Sequence, residues 1–290
     1  MTTTLRPSGP EQHDADGRRA RTYDVCVDSR PVGLLRLAAG PEHGRRTGRI
    51  RRLEIADGER RRGRGTVAAL TAEEVLRGWG CDRVEAAVPG GADAALALAG
   101  QLGFRERSRT MLKQLRTEPE LPPGAVVRAM SAEEFAGWRD RGRPEYVRTL
   151  VEHGVPEEEA ERRADGSFAR LLPAGEATRG AVLRVLDDAD GRGGPDGPGD
   201  QSGPAGVLWL DVERSPSPEA DAFVYDIRVD ERRRGRGHGR TLMLAAEREA
   251  LAAGARVLGL NVYAGNAPAL GLYGSLGFRT AELHLYKRLL

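Results

Sequence analysis

Short runs in which apolar and polar residues alternate recur in both halves of the chain. In the second half, AVLRVLD (181–187), AGVLWLDVE (205–213) and AFVYDIRVD (222–230) have the two-residue period of half-buried strands. A glycine-rich turn follows, and then an apolar pattern with helical spacing that ends near Gly254. The first half repeats this order and places its helix at 66–78.

Both halves then continue with a strand, a short helix and a final strand. Arg62 lies 41 residues before Gly103, and Arg234 lies 43 residues before Gly277, which indicates a duplicated unit. Only the second half shows a strand near 126–130 and two helices within 131–172. The sequence therefore predicts an α/β fold with a mixed sheet in each of two repeats, the first of them truncated.

Breaks in the apolar pattern divide the chain. We expect a disordered tail at 1–19, and the three prolines of RTEPELPPGA predict a linker at 116–125. The predicted domains are therefore 20–115 and 126–290. The Gly-, Pro- and Asp-rich segment 187–204 cannot contribute to a core and predicts a long mobile loop.

Composition excludes several classes of protein. The chain has 290 residues and a formal net charge of +2, which does not suit a general nucleic-acid binder. Two cysteines, Cys26 and Cys81, and scattered histidines give no metal-binding spacing, so we expect no metal. No apolar run approaches the ~20 residues of a membrane span, and the polar N-terminus lacks a signal-peptide core. We therefore expect a cytoplasmic protein without a membrane or nucleic-acid partner.

The segment RRRGRGHGRTLM (232–243) carries the most specific chemistry. It follows a strand and opens a helix, where up to four backbone N–H groups lack helical partners and the helix dipole is positive. Glycines let the backbone approach a ligand closely, and arginines add charge for phosphate oxygens. The pattern predicts a phosphate cradle. It is not a Walker loop because it lacks the lysine, and the third glycine is wrongly spaced for a dinucleotide fingerprint.

The spacing Arg-x-x-Gly-x-Gly at 234–239 resembles the pyrophosphate-binding motif of the GNAT superfamily of N-acetyltransferases. The downstream segment from Asn266 to Phe278, which contains Leu-Tyr-Gly-Ser-Leu-Gly-Phe, is similar to a second signature of that family. The resemblance covers 126–290 in order and 20–115 in degenerate form. It implies two GNAT-like domains, each a twisted mixed sheet flanked by helices, and acetyl-CoA as the co-substrate.

The same resemblance implies roles for individual residues. Backbone and side-chain groups of the cradle, and Asn266 on the CoA arm, are expected to bind acetyl-CoA. The expected cofactor-binding residues are Ile227, Val229, Arg234, Gly235, Arg236, Gly237, His238, Gly239, Arg240 and Asn266. Among them, His238 is expected on the phosphate side or facing solvent.

The expected catalytic residues are Tyr273, Asp226 and Asn261. Tyr273 matches the family's tyrosine that protonates the CoA sulfur, and a phenol with an ordinary pKa near ~10 carries its proton at neutral pH. Some relatives have a glutamate where this chain has Asn261, so the general base is open. Asp226, a water chain ordered by Asn261, and no dedicated base are the alternatives, and Asp226 could also simply pair with Arg228.

Strand alternation predicts that Phe223, Tyr225 and Ile227 share one face of their strand, and that Asp226 and Arg228 share the other. Strand-end acids Asp211 and Glu213 could serve a cationic acceptor, although solvated charges at a strand end are the favoured interpretation.

The first repeat is predicted to lack catalysis. Aligning Arg62-x-x-Gly65-x-Val67 with the cradle leaves valine at the second motif glycine, so half of the cradle is kept. Ala99 then occupies the position of Tyr273, and Ala92 that of Asn266. We expect a structural or regulatory domain that binds CoA weakly at most.

The favoured function is an acetyl-CoA-dependent N-acetyltransferase that acts on a primary amine of a small molecule, as a monomer or homodimer. A non-catalytic CoA sensor and a nucleic-acid binder are the alternatives. A protein or peptide acceptor is less favoured.

Overall fold

The computed structural model describes residues 2–42, 45–152, 155–187 and 204–289. The chain divides into two compact units. The first comprises Met1–Arg109, His153–Ala160 and Glu282–Leu290, and the second comprises Thr110–Glu152 and Glu161–Ala281. Each is a mixed sheet with helices, as predicted. Most of the predicted loop 187–204 lies outside the described residues.

The first unit is built on a sheet with strand order β1–β3–β4–β5–β6–β13, in which β5 and β6 are parallel. The short strand β2 pairs with β3. The elements are β1 (Thr3–Pro7), β2 (Gln12–His13), β3 (Arg19–Val27), β4 (Arg30–Glu42), β5 (Arg45–Ile55), α1 (Arg64–Gly78), β6 (Arg83–Pro89), α2 (Asp93–Gln101) and, from the end of the chain, β13 (Arg279–Arg288).

The second unit has strand order β7–β12–β11–β10–β9–β8, in which β11 and β12 are parallel. Its helices α3 and α4 cover one face, and α5 covers the other. The elements are β7 (Arg105–Gln114), β8 (Val126–Ala129), α3 (Ala132–Glu152), α4 (Glu157–Leu171), β9 (Ala181–Asp187), β10 (Gly206–Asp211), β11 (Ala222–Val229), α5 (His238–Ala252), β12 (Val257–Tyr263) and α6 (Ala267–Ser275).

The two halves of the sequence exchange their last strands. β13 pairs antiparallel with β6 in the first unit, and β7 lies beside β12 in the second, where Leu115 N–H donates to Arg256 O at 2.8 Å. The units therefore do not coincide with the predicted division at 116–125. The reason is long-range strand pairing, which local composition does not encode.

Each of the chain's two lysines forms an ion pair between an exchanged strand and a helix of the same unit. Lys113 on β7 pairs with Glu247 on α5 at 2.5 Å, and Lys287 on β13 pairs with Glu73 on α1 at 2.8 Å. Both glutamates have only 3% of their side-chain surface exposed. Each unit thus buries a carboxylate whose cation comes from the other half of the sequence.

The N-terminal tail differs from its prediction. Residues Thr3–Pro7 form β1, which pairs with β3 from Thr3–Val27 to Pro7–Tyr23. Leu5 packs against the first unit's core, so an apparently polar segment is ordered by pairing with a buried strand. β1 is the first repeat's counterpart of β8, an opening strand that the sequence predicted for the second repeat alone. The first repeat therefore lacks the two helices but has the opening strand.

The apolar faces predicted from periodicity form the cores. In the second unit, Leu242, Ala246 and Ala250 of α5 are fully buried against the sheet. Within the described ranges, no helix combines the length and the apolar character needed to cross a membrane.

Candidate active site

The cradle forms where β11 passes into α5. A short 3-10 turn at Glu231–Arg233 leads into Gly235 and Gly237, whose φ angles of +79° and +87° are left-handed. Such angles favour glycine. Gly237 is the N-cap of α5, so the backbone N–H groups of the next residues begin the helix without helical acceptors. This is an anion-binding geometry.

Side chains surround the cradle without filling it. A Cβ built at Gly235 or Gly237 would meet no atom within 4 Å. Arg234 and Arg236 are exposed; Arg234 forms an ion pair with Glu231 at 3.3 Å. Arg240 donates to Ser275 Oγ at 2.6 Å.

His238 does not simply face solvent. Its Nε2 is buried and has no hydrogen-bond partner among the described residues. This nitrogen belongs to the first residue of α5.

The edge of β11 nearest the cradle is not paired with β12. The parallel pairing of β11 with β12 extends only from Ala222 to Val224, although β11 continues to Val229. Beyond that point Ile227 and Val229 remain paired with β10 on their other side. Their backbone groups toward β12 are therefore not used by strand pairing, which suits a ligand that lies between splayed strands.

A β-bulge at Tyr225 changes the predicted faces of β11. Trp209 pairs with Asp226 and Leu210 with Val224, so Tyr225 is the extra residue. As a result Tyr225 and Asp226 both face α3, and Ile227 turns to the α5 side. The predicted grouping of Ile227 with Tyr225 is wrong, because strict alternation does not hold across a bulge.

Asp226 is held by two donors. Its Oδ2 accepts from Trp138 Nε1 at 3.0 Å and from an Arg228 guanidinium nitrogen at 3.2 Å. Arg228 also pairs with Glu145 at 3.2 Å. Burial raises the pKa of the Asp226 carboxyl, and Arg228 and Trp138 oppose that rise. About a quarter of the side-chain surface (26%) remains accessible.

Tyr273 lies on α6 and is 6% exposed. Its ring packs against Phe278 with centroids 5.9 Å apart. Burial, and secondarily the negative charge of Asp226, raise the pKa of Tyr273 to about 12. The structure thus brings Tyr273 within the electrostatic reach of Asp226, and the phenol keeps its proton at neutral pH.

The two asparagines have different surroundings. Asn266 caps α6, because its Oδ1 accepts from Ala269 N–H at 3.2 Å. Asn261 lies exposed on β12. The predicted role of each in binding or catalysis stays a prediction.

A cavity of ≈ 480 Å³ opens between α3 and α4. Phe135 and Phe168 form part of its lining, and both rings pack against Trp138 at 5.7 Å. Arg143 and Asp165 form a paired polar rim. The strand-end acid Asp211 is separate: its Oδ1 accepts backbone N–H groups and closes a turn.

The first unit carries an intact cradle, which corrects the alignment made from sequence. Gly63 is the left-handed N-cap of α1, with φ +75°, as Gly237 is for α5. The motif is therefore Arg60-x-x-Gly63-x-Gly65, two residues before the register that placed Val67 at a glycine position. In this register 43 residues separate Arg60 from Gly103, the same spacing as in the second repeat.

The first unit lacks the tyrosine and the aspartate that the second unit has near its cradle. With the same register Ala99 corresponds to Tyr273, as predicted, and Arg52 and Glu54 replace Asp226 and Arg228. Arg61, with φ +58°, stands where the second unit has Gly235.

No group of three or more His, Cys, Asp or Glu side chains in the described part of the chain is arranged to hold a metal ion.

Comparison with known proteins identifies the same repeat. The acetyltransferase (GNAT) family profile matches twice, at residues 3–104 and 175–278. The mycothiol acetyltransferase of Clavibacter michiganensis subsp. michiganensis is 30% identical over 271 residues, which cover 90% of this chain and 78% of that protein.

Two further similarities differ in extent. The uncharacterized N-acetyltransferase YycN of Bacillus subtilis is 29% identical over 57% of this chain and 98% of its own length. A GCN5-related N-acetyltransferase structure from Sphaerobacter thermophilus has a TM-score of 0.55 at 17% identity. It covers 92% of this chain and 80% of that one, and it supports the fold alone.

Proposed function

Because the chain belongs to the acetyltransferase (GNAT) family, we propose that its second unit transfers the acetyl group of acetyl-CoA directly to the primary amine of a small molecule. The observation that carries this proposal is the presence, in one unit, of a complete cradle, an edge of β11 that β12 leaves unpaired, a protonated buried tyrosine and a partly buried carboxyl.

The residues of the second unit fit acetyl-CoA. The N–H groups from Arg234 to Arg240 would hold the pyrophosphate, and the free edge of β11 at Ile227 and Val229 would hold the pantetheine arm. Asn266 lies at the start of α6 and is exposed for contact with the same arm. Acetyl-CoA supplies the activated thioester, and the chain supplies binding and proton transfer.

Tyr273 would supply the proton that the CoA sulfur gains. A pKa of about 12 keeps the phenol protonated throughout the physiological range. The same burial makes a lasting phenolate costly, so the O–H donates to the departing sulfur as the carbon–sulfur bond breaks, and the proton that the acylated nitrogen then loses restores the phenol.

Asp226 would accept a proton from the incoming ammonium group, which can attack only as the neutral amine. A raised pKa makes the carboxylate a stronger base than an ordinary aspartate. Its partner Arg228 favours the carboxylate over the protonated acid, and Glu145 adds negative charge that favours a cationic acceptor.

The acceptor is proposed to be a small molecule that enters from the α3 side. Two relatives whose similarity extends over most of this chain are named mycothiol acetyltransferases. The aromatic lining of the cavity between α3 and α4 provides apolar surface, and the Arg143–Asp165 pair provides polar contacts. A CoA sensor without catalysis is the alternative, and the retained Tyr273 favours the enzyme.

The test is CoA thiol release from acetyl-CoA with a panel of amino sugars, amino acids, polyamines and peptides. We expect turnover with small amines, and in Tyr273→Phe a fall of about 10²-fold or more in kcat with near-unchanged affinity for acetyl-CoA. Turnover of peptides alone would contradict the small-molecule proposal. Equal turnover in Tyr273→Phe and wild type would remove Tyr273 from the reaction, and binding without turnover of any amine would favour the sensor.

A further inference from the structure

An aromatic cluster of the second unit touches the candidate base through a single polar contact. Trp138 is 3% exposed, and its ring centroid lies 5.7 Å from each of Phe135, Phe168 and Trp209. Three aromatic neighbours from two helices and a strand therefore fix the indole. Its Nε1–H donates to Asp226 Oδ2 at 3.0 Å.

We infer that Trp138 is a positioning residue, whose indole N–H fixes the orientation of the Asp226 carboxylate and stabilises its anionic form for accepting the acceptor's proton. This inference rests on the proposed role of Asp226 as the general base.

The indole N–H favours one of the two protonation states of the Asp226 carboxyl. The indole N–H can only donate, so it stabilises the carboxylate and has no acceptor to offer a protonated acid. A hydrogen bond to a charged group is among the stronger ones, and the donor Trp138 is only 3% exposed, so water does not easily replace it. The rigid indole also selects one rotamer of Asp226, which the bulge at Tyr225 turns toward α3.

The other charged groups near Asp226 are independent of Trp138. Arg228 on β11 opposes the burial effect, Glu145 on α3 adds to it, and Tyr273 on α6 lies within the carboxylate's field. All three are retained when Trp138 is replaced. A change in the titration of Asp226 in such a variant is therefore attributable to the missing N–H.

The chain offers a closely matched control. Trp209 lies in the same cluster and is 6% exposed, and its Nε1 is buried without a hydrogen-bond partner among the described residues. Trp138→Phe and Trp209→Phe delete the same atoms from the same aromatic packing. Only the first deletes a hydrogen bond to Asp226.

The experiment measures kcat/KM against pH for wild type, Trp138→Phe and Trp209→Phe with one acceptor that the wild type turns over. The acid limb should move upward by about one to two pH units in Trp138→Phe. It should stay in place in Trp209→Phe, and KM for acetyl-CoA should be unchanged in both. No shift in Trp138→Phe, or the same shift in both variants, would overturn the inference.

A second measurement separates this inference from the proposed base. The Asp226 carboxyl carbon is titrated by ¹³C NMR, assigned by its absence in Asp226→Asn, in the protein without acceptor. Full activity of Asp226→Asn would refute the base, whereas the carboxyl titration would still decide the role of Trp138. If Trp138→Phe loses its folded circular dichroism spectrum, benzothienylalanine at position 138 keeps the ring shape without the N–H, and its carboxyl titration decides instead.

Discussion

Removing the Lys113 ammonium should destabilise the second unit strongly. Lys113 Nζ lies 2.5 Å from Glu247 Oε1, and only 3% of the Glu247 side-chain surface is exposed. Lys113→Met keeps an unbranched side chain of similar length and leaves the carboxylate buried without this cation. Breaking a buried ion pair from one side typically costs about 3–5 kcal/mol, because the remaining charge stays desolvated. We expect a loss of that size in the free energy of unfolding of the second unit.

The equivalent pair in the first unit is the control. Lys287 pairs with Glu73 at 2.8 Å, but Glu73 also has Arg77 at 3.5 Å, one helical turn away. The second guanidinium keeps the carboxylate partly compensated, so Lys287→Met should cost clearly less, below about 3 kcal/mol.

Hydrogen exchange by mass spectrometry measures the free energy of unfolding of each unit separately, through the amides of α5 for the second unit and of α1 for the first. A single unfolding curve would not do this, since two units need not unfold together. The double variant Lys113→Met/Glu247→Leu should recover to within about 1 kcal/mol of wild type, because no unpaired charge remains. A loss below about 1 kcal/mol in Lys113→Met, or a double variant as unstable as the single one, would refute the reasoning.

Three further results are expected. Gly237→Glu should abolish acetyl-CoA binding at the second unit in calorimetric titration, because the new side chain adds bulk and negative charge at the cradle. Gly237→Ala adds only left-handed strain of about 1–2 kcal/mol and should retain measurable binding. An equal loss of affinity in both variants would point to strain alone. Any acetyl-CoA binding that remains in Gly237→Glu should be weak, because the first cradle is intact but lacks the side chains that lie beside the second cradle. This weak binding should disappear when Gly63→Glu is added. Its persistence in the double variant would place the weak site outside the first cradle. Gly206→Ala should destabilise the second unit by about 1–3 kcal/mol in chemical denaturation, because the alanine Cβ would lie 2.6 Å from the backbone oxygen of Arg228. No change in stability would show that β10 and β11 move apart easily at this position.

Local pattern sufficed for most elements beyond the first 19 residues and for the family. Alternation located the strands, helical spacing located α1 and α5, and the glycine turn located the second cradle, because these signals lie within a few consecutive residues. The first cradle was misplaced by two residues. Its arginine run allows two registers. The left-handed Gly63 at the helix start selects the one that begins at Arg60, and the 43-residue spacing to Gly103 agrees with it.

Features that depend on distant contacts were not accessible from the sequence. The bulge at Tyr225 reverses the expected face of Ile227, since its position is set by pairing with β10. The Trp138–Asp226 hydrogen bond joins residues 88 apart in sequence. Spacing within one segment carries no information about such a contact.

The sequence by itself determined what the chain is made of: two α/β repeats, a phosphate cradle before α5 and a tyrosine at a family position. The tertiary structure decided how these parts are completed, through exchanged last strands and through the donors that surround Asp226. The physical reason is that periodicity and turn chemistry are properties of adjacent residues. The pKa of the partly buried Asp226 carboxyl and the partner of a buried glutamate depend on side chains that only folding brings together.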